Sequence, residues 1–309
     1  MNDSSANHET LLDCAIIGGG PAGLNAALVL GRSLKKTIVF DDNQPRNRVT
    51  HESHGFLTRD GIDPQELKRL AQSELVHYPD VQLNNSRVGT ITKEEKSFRI
   101  ETEGGEVFHA RKVILATGFT ETLPDIPRVQ EFYGTSLFSC PFCDGYEMRS
   151  EPLVIISENE AAGHLAKVVS NWTNNLIIAT NGKKHITPSE QKTLEHHGVL
   201  VYEEPIRSLD GENGKLRAIT FEDGTTIERS GGFVTAEWHQ STSIAKDLGC
   251  YINERGGVET DPMQRTNVEG VFACGDISMG PAQLIIAAGQ GSLAATSVVA
   301  AFTEERFGE

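Results

Sequence analysis

Short apolar runs that stop at glycine, each followed by a helical stretch, organise this chain. Asp13-Cys14-Ala15-Ile16-Ile17 runs into glycines, a helical segment from Ala22 to Arg32 follows, and Thr37 to Phe40 is the next apolar run. Strand, helix and strand in that order open a βαβ unit. A third run, Lys112 to Ala116, ends in Thr117-Gly118. The pattern starts afresh at Leu153 to Ile156, with a helix over roughly Ala161 to Trp172 and a strand over Leu176 to Ala179. Two hairpin-like pieces, Leu216 to Phe221 and Thr225 to Glu228, flank the turn Glu222-Asp223-Gly224. Gly270-Val271-Phe272-Ala273-Cys274 is a short buried strand that ends in Gly275-Asp276. A helix rich in small residues, Gln283 to Phe302, follows it.

The βαβ pattern therefore occurs twice, and the strand ending at Gly275-Asp276 returns after the second copy. The expected fold class is α/β, with the second unit inserted in the first. The crossings fall near Thr120 and again between Glu237 and Ser243. This predicts one domain from residues 1–120 and 244–309 and an inserted one from residues 121–243.

Composition narrows the function classes. Hydrophobic residues make up 38% of the 309 and charged residues 23%, the balance of an ordinary globular protein. The net charge of -15 argues against nucleic acid, whose phosphates need clustered Lys and Arg, and against an anionic membrane surface. Met1 to Leu11 is polar, without the basic stretch and apolar run of a signal peptide. No apolar stretch is expected to reach the roughly 18 residues that span a bilayer. A cytoplasmic location is the resulting expectation, and there five cysteines do not make a structural disulfide framework.

Gly18, Gly20 and Gly23 form G-x-G-x-x-G, with Pro21 and Ala22 inside the motif, after a strand and at the opening of a helix. Such a turn needs residues without Cβ. The backbone must approach a pyrophosphate, and the helix start supplies N–H groups and the positive dipole end. Asp41 ends the next strand, where an acid holds a ribose hydroxyl. On spacing alone the ligand is NAD or FAD.

Cys140-Pro141-Phe142-Cys143-Asp144 is C-x-x-C followed by an acid. In this setting the motif reads as dithiol redox chemistry or half a zinc site. No second C-x-x-C or H-x-x-H completes a zinc site, and the adjacent His196-His197 have the wrong spacing, so no metal is expected. A thiol exchanges as thiolate, and Asp144 is the neighbouring group that could move its proton. Cys14, Cys250 and Cys274 sit in apolar surroundings and read as small buried hydrophobes.

Taken together, Gly18 to Gly23, Ala116-Thr117-Gly118, Cys140 to Asp144 and Gly275-Asp276 resemble the low-molecular-weight thioredoxin reductase superfamily, from about residue 12 to 302. The resemblance implies two Rossmann-like domains of the three-layer ββα kind, FAD at the first site, and a homodimer. It also places Gly275 and Asp276 by the ribityl and phosphate region, and Gln283 and Leu284 near the isoalloxazine. Cys143 would face the flavin, and Cys140 would exchange with a substrate that is a small dithiol or disulfide or a thioredoxin-like protein.

Other residues resemble a narrower branch, which contains the dithiol oxidases that close disulfides in gliotoxin and holomycin. They are Pro45-Arg46-Asn47, His54 to Gly61, Asn171-Trp172 and Thr180-Asn181-Gly182. On that likeness Arg46, Asn47 and His54 belong to the cofactor-binding set, with His54 on the segment covering the flavin. Members of the superfamily that use NADPH carry a second glycine motif and a basic cluster in the inserted domain. Here the matching turn is Ser157-Glu158-Asn159-Glu160-Ala161-Ala162, and Lys183-Lys184 follow the second strand in place of an Arg pair. Efficient NADPH use is therefore not expected. Asp144, where the branch's oxidases often carry His, keeps an NADPH-dependent thioredoxin reductase open. A disulfide reductase fed by ferredoxin or another flavin and a non-enzymatic redox sensor also remain open. His51 and His239 are further candidates for proton chemistry, and Trp238 reads as packing.

Overall fold

The computed structural model describes residues 11–308, so the expectation about a leader, which concerns Met1 to Leu11, falls almost wholly outside them. The chain forms two compact units. One comprises residues up to Arg46, Gln65–Thr120, and the chain from His239 onward; the other comprises Asn47–Pro64 and Glu121–Trp238.

The first unit is built on a parallel sheet in the order Val81–Asn84, Thr37–Phe40, Leu12–Ile17, Val107–Leu115. Leu12–Ile17 is buried on both faces because helices or loops cover each side. Leu12, Ala15 and Ile17 pack into one cluster, and Cys14 and Ile16 into another. Val107–Leu115 has a double role. Its first half pairs antiparallel with Phe98–Thr102, which pairs in turn with Val88–Lys93. Its last residues pair in parallel with Val271–Ala273, the strand that returns after the inserted unit.

Leu284–Phe307 closes this unit. Contrary to the sequence expectation, this helix is long and apolar enough by composition to cross a membrane. In the structure it lies instead on Pro21–Arg32. Gly291 abuts the backbone of Ala22, with no room for a Cβ. Asn25 Nδ2 donates to the Ala288 carbonyl at 2.7 Å and locks the register. The buried Ala294, Ala295 and Val298 fill the seam below.

The second unit repeats the plan with a five-stranded parallel sheet in the order Leu200–Tyr202, Leu176–Ala179, Leu153–Ile156, Gly231–Val234, Leu137–Phe138. Leu153–Ile156 is again buried on both faces, Val154 and Ile156 to one side and Leu153 and Ile155 to the other. Ile206–Glu212, Lys215–Phe221 and Thr226–Glu228 form an antiparallel sheet beside it. The segment Asn47–Pro64 groups here because Gly134 sits directly on the backbone of Val49. Both units are Rossmann-type α/β domains, the second inserted in the first.

The contact at Gly291 is tested by substitution. Gly291→Val should force the two helices apart and cost about 1–3 kcal/mol, the usual range for overpacking, read as a lower midpoint in thermal or urea unfolding.

Candidate active site

The glycine loop of the first unit has three different local demands. Gly18 takes φ +112°, and a Cβ there would overlap the carbonyl oxygen of Ala116. A Cβ at Gly23 would overlap the carbonyl of Gly18, so the helix start could not close on the strand. A Cβ at Gly20 would meet nothing within 4 Å. The outer glycines therefore serve the fold, whereas Gly20 leaves an open face beside the helix that starts at Pro21. Backbone N–H groups at such a start attract an anion.

The other predicted residues of this unit gather around that loop. Asp41 follows Thr37–Phe40 and packs on Gly19, where a Cβ would lie 2.6 Å from its Oδ2. Ala116, Thr117 and Gly118 leave the neighbouring strand. Gly118 has φ +65°, and Thr117 Oγ1 is buried with no hydrogen-bond partner. Gly275, at φ +79°, brings its Cα against Ala22, and its amide donates to Gln290 Oε1 at 2.8 Å. Arg46 reaches Asp276 at 3.4 Å and lies over the Phe119 ring at 4.8 Å. Gln283 caps the helix that begins at Leu284.

Sequence reasoning missed Lys68. It lies on the helix Pro64–Leu75, forms an ion pair with Asp41, and donates to Asn43 Oδ1 at 2.7 Å. Its side chain is only 12% exposed and that of Asp41 16%. An amphipathic helix carrying several charges gave no sign of which one would turn inward. Gln290 was missed because its partner, the Gly275 amide, comes from a segment outside its own helix.

In the second unit Cys140 and Cys143 form a disulfide with Cα atoms 5.3 Å apart. Cys140 caps the short helix Pro141–Asp144, with Pro141 at its first position. Phe142 is 66% exposed and Tyr146 64%, so the disulfide sits beside outward-facing aromatic surface. Arg149 covers the Tyr146 ring at 4.2 Å. Asn47 and His54 are also in this unit. The His54 imidazole faces Glu52, Asp60 and Glu147, with nitrogen–oxygen distances of 3.5, 3.6 and 3.8 Å.

The turn Ser157–Ala162 differs from the glycine loop of the first unit. Ser157 is buried and Thr235 Oγ1 donates to its hydroxyl at 3.0 Å. The Ala161 amide, which opens the helix Ala161–Val169, donates to Asn159 Oδ1 at 3.0 Å. Glu158 accepts from Asn181 Nδ2. Lys183 and Lys184 are exposed. Among the described residues no group of His, Cys, Asp and Glu is arranged to hold a metal ion.

The pyridine nucleotide-disulphide oxidoreductase family model matches residues 12–291. The chain belongs to that family. It is similar to TrxB from Bacillus anthracis, with 44% identity and a TM-score of 0.92 over 96% of this chain and 99% of that one. It is similar to HlmI, with 30% identity and a TM-score of 0.93 over 97% and 95%. It is 31% identical to the thioredoxin reductase aclD of Aspergillus oryzae, over 96% of this chain and 98% of that protein. The family member described here is thus an FAD-dependent disulfide oxidoreductase of the thioredoxin-reductase type. The first unit fits FAD. The face at Gly20 is open, the Thr117 hydroxyl is buried and unpartnered, and Asp41 stands against the loop where a ribose would lie.

The remaining thiols are kept out of the chemistry by burial. Cys274 is pushed up from the ordinary 9.0 to about 12, and Cys14 is raised further, mainly by desolvation with Asp13 adding to it. Cys250 is also raised by burial. Both fully buried thiols hold their protons more tightly folded than unfolded. Their contribution to stability is complete below about pH 9 and is lost as pH rises toward 12. Urea unfolding between pH 8 and 11 should show this decline, with Cys274→Ala flattening it. Iodoacetamide at pH 8 should modify Cys140 and Cys143 after reduction and leave the other three cysteines of the folded protein unmodified, as read by peptide mass spectrometry.

Proposed function

We propose that this enzyme passes electrons from a substrate dithiol through the Cys140–Cys143 disulfide to flavin and oxygen, without efficient use of NADPH. The observation that carries the reading is the turn Ser157–Ala162. A dinucleotide phosphate needs free amides at that helix start. Asn159 already takes the Ala161 amide, and Glu158 and Glu160 bring like charge. The exposed Lys183 and Lys184 have no fixed partner geometry for a 2′-phosphate.

The exchange uses the chain's own sulfurs. A substrate thiolate attacks Cys140 Sγ, forming a mixed disulfide and releasing Cys143 as thiolate. The second substrate thiolate then attacks its own sulfur in the mixed disulfide. The substrate leaves as a disulfide and Cys140 leaves as thiolate, so two electrons have moved to the cysteine pair. Asp144, next to Cys143 in the turn, is the group we assign to proton transfer. Bound FAD supplies the two-electron capacity between the cysteine pair and oxygen. Gly18, Gly20, Pro21, Ala22, Gly23, Asp41, Ala116, Thr117, Gly118, Gly275 and Asp276 hold it, with Arg46 fixing Asp276 and Lys68 fixing Asp41. Gln283 and Leu284 complete the set in this unit, and the assignment of Asn47 and His54 rests on the family resemblance alone. We place the enzyme in the cytoplasm as a homodimer.

A second reading is NADPH-driven reduction of a thioredoxin-like protein. Asp144 and the thioredoxin reductase name of aclD favour it. Anaerobic mixing separates the two. NADPH should leave the flavin yellow, and rapid bleaching by NADPH would overturn the proposal. Dithiothreitol should bleach the wild type but not Cys143→Ser, and oxygen uptake with a dithiol should then follow. Lys68→Met should weaken FAD retention about tenfold, as for a lost charge-assisted hydrogen bond, measured by titrating the apoprotein.

A further inference from the structure

The helix carrying the two cysteines, Pro141–Asp144, is a single turn. A lone helical turn is unstable in water, so its geometry must come from packing. Trp172 supplies part of it. The Trp172 indole lies flat against Gly145, the residue that ends the turn. A Cβ at Gly145 would come within 2.9 and 3.0 Å of indole carbons and 2.5 Å of the Pro141 carbonyl oxygen. Phe142, between the two cysteines, meets the same indole edge-on, with centroids 5.8 Å apart and planes at 84°.

Trp172 is itself held rigidly. Its carbonyl accepts from the Ser150 amide at 2.8 Å, which closes the loop following the redox turn. Thr173 Oγ1 donates to the Glu151 carbonyl at 2.7 Å, and Leu153 N donates to the Asn175 carbonyl at 2.9 Å. The segment 172–175 is thus zipped to 150–153, at the entrance of the central strand. Through Trp172 the redox turn is fastened to that strand. Trp172 touches neither sulfur by way of these contacts, so its role is positional.

We infer that Trp172 sets the reducibility of the Cys140–Cys143 disulfide by holding the turn in the geometry in which the two sulfurs meet. The inference rests on the pair's exchange role and is independent of whether NADPH or a dithiol supplies the electrons. When the disulfide gains two electrons and two protons from a thiol reductant, it becomes two thiols. How readily these close again depends on their effective concentration in the turn. Without the indole the reduced turn gains freedom, closure becomes less favourable, and the pair shifts toward the dithiol.

The test uses the holoenzyme under anaerobic dithiothreitol redox buffers, with the Cys140–Cys143 peptide trapped by alkylation and quantified by mass. Trp172→Ala should move the equilibrium about tenfold toward the dithiol, which is about 30 mV less negative. Trp172→Phe should recover most of the wild-type value, because a ring still meets Phe142. Gly145→Ala should shift in the same direction as Trp172→Ala, because its methyl would displace both the Pro141 carbonyl and the indole. Thermal unfolding is recorded for each. If Trp172→Ala does not fold, the Phe and Gly145→Ala variants decide. A folded Trp172→Ala or Gly145→Ala protein with the wild-type equilibrium overturns the inference. Because the readout involves no electron donor beyond the buffer, a flavin that NADPH bleaches would refute the proposed function and leave this result standing.

Discussion

The carbonyl oxygen of Ala116 occupies the space a side chain at Gly18 would need, and the architecture of the first unit follows from that exclusion. The glycine loop can turn from strand to helix only by lying against the end of the neighbouring strand. This brings Ala22 into the position where Gly275 and Gly291 both press on it. Ala116, Gly275 and Gly291, each with little or no side chain, converge on the loop and helix start at Gly18–Ala22. Asp41, Asp276 and the Thr117 hydroxyl are then directed by backbone that has little freedom to move. In the same environment Gly20 stays open, so the loop is tight where it supports the fold and uncrowded where a phosphate would approach.

The second unit repeats the strand, the turn and the helix but replaces what the turn offers. Asn159 uses its side chain to satisfy the amide that a phosphate would take, and Ser157 is buried under Thr235. The Rossmann-type layer also serves as the platform for the cysteine turn, through Leu137–Phe138 and Leu153–Ile156.

Much of this was legible in the sequence. Leu153–Ile156 and Leu176–Ala179 were predicted to the residue, because a fully buried parallel strand is a continuous apolar run with sharp ends. The glycine loop and the C-x-x-C pair were equally readable, since each depends on residue types that few other structures require. The antiparallel strands Val88–Lys93 and Phe98–Thr102 were not seen. Their interspersed Thr, Glu and Arg residues look like loop, and Ile91, Phe98 and Ile100 are buried in a core built with remote strands. Long-range partners also explain why Lys68, Gln290 and the place of Trp172 were missed. Asn171-Trp172 stood out as a family mark, but nothing local shows that the indole lies under Gly145. The apolar length of Leu284–Phe307 was underestimated because its small residues look weakly hydrophobic individually.

The return of the chain at Val271–Ala273 has a consequence for how the protein is made. Synthesis runs from the N-terminus at about 5–20 residues per second, so the glycine loop emerges long before Gly275 and Gly291. Until those arrive, Ala22 lacks its packing partners and Val107–Leu115 lacks one of its neighbours. The contiguous stretch Glu121–Trp238 has by then left the ribosome with all five strands of its own parallel sheet. The glycine loop therefore reaches its full packing on Ala22 only once Gly275 and the helix Leu284–Phe307 have been made, whereas the strands of the second unit's parallel sheet are complete by Trp238.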